Sequence, residues 1–256
     1  MSAAIHRYAP WLLGLLVLCV WETAVWAADV PRYVLPGPIA ILGAFFTDPA
    51  GLLLSLASTL LVTFVALFAA SVTGVGLALA MSLSPFLRAA IQPWAVILQV
   101  TPIVAIAPLV IIWVGNAFAA LVVCATIVAF FPVFANTAAG LAAPAPELAD
   151  LFRIYGAGRW RTLWLLRLPS AVPLFLAGLR VSGGLALVGT VVAEFVAGSG
   201  GFASGLAYRI LEAGYRLEIP RMFAALVLLS LAGIAIHAGL GWVAAWITRR
   251  REGLAR

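Results

Sequence analysis

The sequence predicts an all-α membrane protein with about six transmembrane helices, and three observations carry that prediction. Apolar runs of the roughly 20 residues needed to cross a bilayer recur along the whole chain. Of its 256 residues 65% are hydrophobic and only 9% charged, with a mean hydropathy of +1.15. That balance excludes a soluble globular domain. The few charges also gather in connecting stretches, above all between Pro146 and Pro169.

The first span covers residues 10–28 and follows His6 and Arg7. Val25-Trp26-Ala27 resembles a signal-peptidase site, so a cleaved leader is the alternative; the recurrence of spans further on favours an uncleaved first helix. Residues 29–51, with Pro31, Pro36, Pro38 and Pro49, read as an extracytoplasmic loop. The second span, 52–82, exceeds what a bilayer requires and must tilt or project. Gly74 and Gly76 in it permit close helix contact. Arg88 falls in a turn before the third span, 91–114, where Pro93, Pro102 and Pro108 predict kinks. Gly115-Asn116 breaks the chain before a fourth span, 118–141. A fifth, 174–197, follows the charged stretch, and residues 198–201 interrupt the pattern. Residues 204–217 form an amphipathic helix in which Arg209, Glu212 and Arg216 pair at i+3 and i+4. The last span, 222–247, ends at Arg249-Arg250-Arg251. The chain is thus a single transmembrane domain.

Six spans place both termini on one side of the membrane. Of the 15 cationic side chains, ten arginines then share the side of the termini: Arg7, Arg88, Arg153, Arg159, Arg161, Arg167, Arg249, Arg250, Arg251 and Arg256. Arg32, Arg209, Arg216 and Arg221 lie opposite, and Arg180 stays within the fifth span. The excess marks the side of the termini as cytoplasmic. The net charge of +6 is therefore read as membrane topology rather than as affinity for nucleic acid.

Every one of these cations is arginine, for the sequence contains no lysine. A phosphate-cradling G-x-x-x-x-G-K-[ST] loop cannot exist here, so ATP hydrolysis by that route is excluded. Schiff-base chemistry is excluded as well. Cys19 and Cys124 lie in separate apolar runs and read as small hydrophobes. His6 and His237 stand far apart with no ligand cluster, so no metal site and no catalytic centre is expected.

Between Pro146 and Pro169 the chain reads PELADLFRIYGAGRWRTLWLLRLP. A helix from Glu147 to Tyr155 puts Leu148, Leu151, Phe152 and Tyr155 at i, i+3, i+4 and i+7, with Glu147, Asp150 and Arg153 on the other face. Pro146 suits the first turn, and Gly156 suits the left-handed residue that ends a helix. The apolar stripe either fills a groove in another protein or packs on the chain's own transmembrane ends. Arg159, Arg161 and Arg167 then alternate with Trp160, Trp164 and leucines, a composition suited to a membrane interface.

This stretch resembles the cytoplasmic loop of the permease subunits of ATP-binding-cassette importers, written E-A-A, three residues, G, nine residues, I-x-L-P. The frame falls on Asp150-Leu151-Phe152, Gly156 and Leu166-Arg167-Leu168-Pro169 with every spacing kept. Asp replaces Glu, Leu-Phe replaces Ala-Ala, and Leu replaces Ile. Pro146-Glu147-Leu148, the run from Gly156 to Trp160, Leu168 to Pro173, Ala177-Gly178-Leu179-Arg180 and Val192-Ala193-Glu194 are similar to the nitrate, sulfonate and taurine branch. The resemblance implies the fold of a type I importer permease. It makes residues 144–169 a cytoplasmic coupling loop, with Glu147, Leu148, Asp150, Leu151, Phe152, Tyr155, Gly156 and Ala157 docking on the ATPase.

The resemblance further implies two ATPase copies, a second permease protomer (an identical chain) and an extracytoplasmic substrate-binding protein. It implies no cofactor in this chain, ATP and magnesium belonging to the ATPase, and a location in a bacterial inner membrane. The substrate class it suggests is a sulfonate-, nitrate- or taurine-type anion, or a pyrimidine vitamin precursor. Glu194, near the outer end of the fifth span, matches a glutamate common in the family, and a structural or gating role is expected of it. Glu22 is expected to reach the membrane interface, and Arg180 to snorkel toward the cytoplasmic end. Gln99, Thr101, Asn116 and Asn136 are candidate path-lining residues, ordinary interhelical hydrogen bonds being the commoner use of such groups. Two other classes are weighed: an ion-coupled transporter would need an intramembrane acidic relay, and a membrane enzyme a cluster of His, Asp or Cys.

Overall fold

A computed structural model describes residues 2–198 and 204–254, with the side chains of residues 8–198 and 204–251. The elements are α1 (Ser2–Ala27), α2 (Pro38–Thr47), α3 (Pro49–Leu83), α4 (Pro85–Val100), α5 (Ile103–Val114), α6 (Ala117–Ala142), α7 (Pro146–Ile154), α8 (Arg159–Thr162), α9 (Leu168–Ala197), α10 (Leu206–Tyr215) and α11 (Ile219–Leu254). Among the described residues five helical segments are long and apolar enough to cross a membrane, and the bent pair α4–α5 makes a sixth if counted as one span. The break predicted at 198–201 lies largely outside the described residues.

The core is a sandwich of α3, α6 and α9. Lipid tails are as apolar as leucine, so helices in a bilayer associate by close packing and polar ties rather than by escape from water. The chain supplies both. A Cβ at Gly178 would stand 2.6 Å from the Pro132 carbonyl oxygen, and one at Gly189 would stand 2.9 Å from Ala125 Cα. Only glycine lets α9 lie that close to α6. The Ser182 hydroxyl donates to the Ala129 carbonyl at 2.6 Å across the same contact. On the α3 side, Phe130 and Phe134 stack with centroids 5.3 Å apart, in a cluster that includes Ala78, Met81 and Leu141.

Two stretches depart from the sequence reading. The predicted loop 29–51 contains α2, which opens with Pro38 in its first turn. Pro31 and Pro36 do lie in non-helical chain, but Pro38 starts a helix and Pro49 does the same for α3. The predicted third span, 91–114, is two helices meeting at 103°. Pro102 has no N–H to continue α4 and holds an extended conformation at the corner. Arg88 is then not in a turn but in the first part of α4, whose N-terminus is capped by Ser84.

The bundle has two distinct ends. At one, the Arg167 guanidinium donates to the Ser82 carbonyl at 3.0 Å and Arg251 donates to the Pro169 carbonyl at 2.7 Å, tying the ends of α3 and α11 to the start of α9. Residues Leu163–Arg167 form a single π-helical turn leading into α9. Pro169, lacking an N–H, interrupts the regular i to i−4 ladder there. At the other end, Arg221 pairs with Asp48 at 2.6 Å, while Asp48 also caps α3 through the Gly51 N–H at 2.9 Å. Helix α1 meets the rest of the bundle in its last turns, where the Trp21 ring lies 6.2 Å from that of Phe223.

Candidate functional site

The first candidate is α7 and the loop around it. Tyr155 donates its N–H to Leu151, Gly156 to Arg153 and Ala157 to Phe152, the last two at 3.0 and 2.9 Å. Gly156 takes φ +67°, the left-handed conformation that closes a helix with this bond pattern. None of the nine residues of α7 is buried. Leu148 and Leu151 are 48% and 45% exposed, and Ile154 and Tyr155 are 80% and 81% exposed, while Phe152 is half-buried. The amphipathic stripe therefore points mostly away from the chain's own transmembrane ends. Asp150 and Arg153 pair at 3.0 Å on the solvent face, where such a pair contributes little. Ala157, beyond the cap, borders a cavity of about 270 Å³ that Ser82, Arg159, Thr162 and Arg167 also line.

The second is the tie at the opposite end, built around Glu194. Its side chain is 5% exposed. It accepts from the Thr59 hydroxyl at 2.9 Å and from the Ala207 N–H at 3.0 Å. Thr59 in turn accepts from the Leu206 N–H at 2.9 Å. The first N–H groups of α10, which have no partners inside their own helix, thus end on side chains of α9 and α3. Below them the Thr63 hydroxyl lies 2.7 Å from the Thr59 carbonyl and 3.2 Å from the Thr190 hydroxyl. Glu212 of α10 pairs with Arg209 at 3.0 Å and with Arg216, the residue just past the helix, at 2.8 Å, as its spacing predicts.

Glu22 performs the same service for α2, accepting from the Ile39 N–H at 3.0 Å. Both acidic side chains of the apolar spans are engaged at helix N-termini, where a carboxyl group is favoured. Among the described residues no cluster of His, Cys, Asp and Glu suited to a metal is present.

The remaining candidates are dispersed. Gln99 and Thr101 come together at the α4–α5 corner, on a cavity of about 250 Å³ completed by Phe131, Pro132 and Leu185. Asn116 caps α6 through the Ala119 N–H at 2.9 Å, and Asn136 donates to the Pro132 carbonyl of its own helix at 2.9 Å. Arg180 does not snorkel. Its guanidinium turns sideways to His237 on α11, with Nε 3.1 Å and a terminal nitrogen 2.8 Å from Nε2. Thr59 escaped the sequence reading, although two threonines four residues apart in an apolar span, Thr59 and Thr63, mark one polar face.

A bundle of apolar spans with an amphipathic helix exposed at one end is a multi-pass membrane protein. The chain belongs to the family of binding-protein-dependent transport system inner membrane components, whose model matches residues 70–252. It is 32% identical over 239 residues to a probable ABC transporter permease protein of Haemophilus influenzae, covering 93% of this chain and 96% of that protein. It is 30% identical to the formylaminopyrimidine transport permease protein ThiX of Halalkalibacterium halodurans, over 91% of this chain and 92% of the other. It is 28% identical to the taurine transport system permease protein TauC of Escherichia coli, over 88% and 82%. A chain in the crystal structure of an amino acid ABC transporter superposes with a TM-score of 0.63 at 20% identity, over 82% of this chain and 98% of that one. That likeness shows the fold. The protein is a multi-pass membrane permease subunit of an ABC importer, a transport component.

Proposed function

We propose that two copies of this chain form the translocation path of a type I importer, with α7 as the element that receives the motion of a separate ATPase. The observation that carries the proposal is the exposure of the α7 stripe. A nine-residue helix is too short to be stable alone, and an apolar face left in water is a face awaiting a partner. An amphipathic helix laid in a groove is a common mode of protein recognition. Glu147, Leu148, Asp150, Leu151, Phe152, Tyr155, Gly156 and Ala157 form the docking unit in this reading. Closure of the two ATPases on ATP and magnesium drives the permease halves as rigid bodies between inward and outward states.

The arginine distribution supports a cytoplasmic α7 with both termini on that side of a bacterial inner membrane. The solute arrives at the α10 end from an extracytoplasmic binding protein. The relatives' names point to a sulfonate- or taurine-type anion or a pyrimidine vitamin precursor as the class carried. The test is co-expression with the ABC ATPase of the same transport system. The ATPase should co-purify and its hydrolysis should rise with loaded binding protein. Failure of the wild-type chain to retain it sinks the reading.

A further inference from the structure

We propose that Arg180 and His237 form an oxyanion-recognising element on the translocation path, one that holds the sulfonate, carboxylate or phosphate group of the carried solute. The proposal rests on the importer reading above and assigns it a substrate chemistry.

Depth comes first. Arg180 is eleven residues beyond Pro169, whose carbonyl receives Arg251 at one end of the bundle. At about 1.5 Å per residue that is about 16 Å along α9, with about 26 Å left to Ala197. His237 is fourteen residues from Arg251 on α11, or about 21 Å. Both side chains therefore sit near the middle of a hydrocarbon layer about 30 Å thick. Lipid headgroups do not reach that level.

The direction of the guanidinium is the second observation. Arg180 lies against Gly241, where a Cβ would stand 3.3 Å from its Cζ. The absent side chain leaves the guanidinium room to lie across α11. Arginine cannot accept a hydrogen bond, so His237 Nε2 must be the acceptor and its ring proton sits on Nδ1. Two guanidinium nitrogens are taken up by His237, and the remaining N–H donors are uncommitted among the described interactions. Both residues are exposed on the surface of this chain. A charged group at this depth faces protein or water rather than lipid, because lipid offers it nothing.

The third observation is the missing counter-charge. Among the described residues no carboxyl group pairs with Arg180. A second copy of the chain cannot supply one either. The sequence has nine acidic residues, and those within long spans lie close to a helix end: Glu22 five residues before the end of α1, and Glu194 three before the end of α9. A fixed cation in a low-dielectric layer, with free donors in a planar fork and no fixed anion within reach, is a place built for a mobile oxyanion.

The test uses the assembled importer in membrane vesicles, with Cys19→Ala and Cys124→Ala as background. His237→Cys is reacted with the anionic sulfonatoethyl methanethiosulfonate and with its cationic trimethylammonioethyl counterpart, each rate normalised to that with a free thiol. With Arg180 intact, the anionic reagent, itself a sulfonate, should be favoured at least fivefold. Arg180→Lys should keep most of that preference and Arg180→Gln should remove it. A cysteine that reacts with neither reagent, both without nucleotide and in the vanadate-trapped state, means that the face is sealed, and it overturns the proposal. So does a charge preference that survives Arg180→Gln. Labelling requires no transport, so ATPase co-purification remains a separate readout. Loss of that co-purification in the wild-type chain would count against the importer reading instead.

Discussion

Glu194 is worth more as a joint than as a charge. It holds α10 to α9 while Thr59, which it binds, holds the same helix to α3. Glutamine keeps one acceptor oxygen and replaces the other with an N–H₂ that cannot receive a donor. Glu194→Gln should therefore leave either the Ala207 N–H or the Thr59 hydroxyl proton without an acceptor, at a cost of about 1–3 kcal/mol for a buried group. Detergent melting should show the loss, with reduced uptake and normal membrane insertion. Thr59→Val should act through the same joint, so the double variant should cost less than the sum of the two. Strict additivity would mean that the two side chains work separately. Gly205→Ala supplies an independent check, because its Cβ would overlap the Glu194 carboxyl group that these hydrogen bonds pin in place. A melting profile unchanged from wild type would contradict the joint.

Helix α7 was legible from its sequence because everything that defines it is local: a proline in the first turn, apolar positions at i, i+3, i+4 and i+7, and a glycine to end it. Gly156 at φ +67° gives the experiment at this scale. Gly156→Val would force a β-branched residue into the left-handed region, at roughly 1–2 kcal/mol, and redirect α7 without touching a span. Phe152→Asp would leave the backbone alone and place a charge on the apolar face. Both variants should insert normally yet lose ATPase-coupled uptake, measured against membrane abundance. Helix α2 was not legible, because Pro38 and Pro49 read as loop residues until their place in a first turn is seen. Nor was the 103° corner of α4–α5, since prolines announce a kink but not its angle. The Glu194 joint was only half legible. The glutamate stands out in an apolar span, but its partners are 135 and 13 residues away, and only folding brings them together.

At the scale of the whole molecule, the two ends of the bundle do different work. One holds α7, the π-helical turn and the arginine ties; the other holds α2, α10 and the Asp48–Arg221 pair. The spans between them associate through glycine contacts and buried hydroxyls, so a rigid core can carry movement from one end to the other. In a background without Cys19 and Cys124, cysteines at Ala157 and Leu254 should label only from the cytoplasmic side, and one at Thr47 only from outside. Reversed labelling would invert the orientation. The claim on which the rest depends is that α7 is where the ATPase engages. The direct measurement is retention of the ATPase by the purified permease, comparing wild type with Phe152→Asp at equal membrane abundance. The account predicts a stoichiometric ATPase band with the wild-type chain and its loss from the variant. Equal retention by both, with equal uptake, would contradict it.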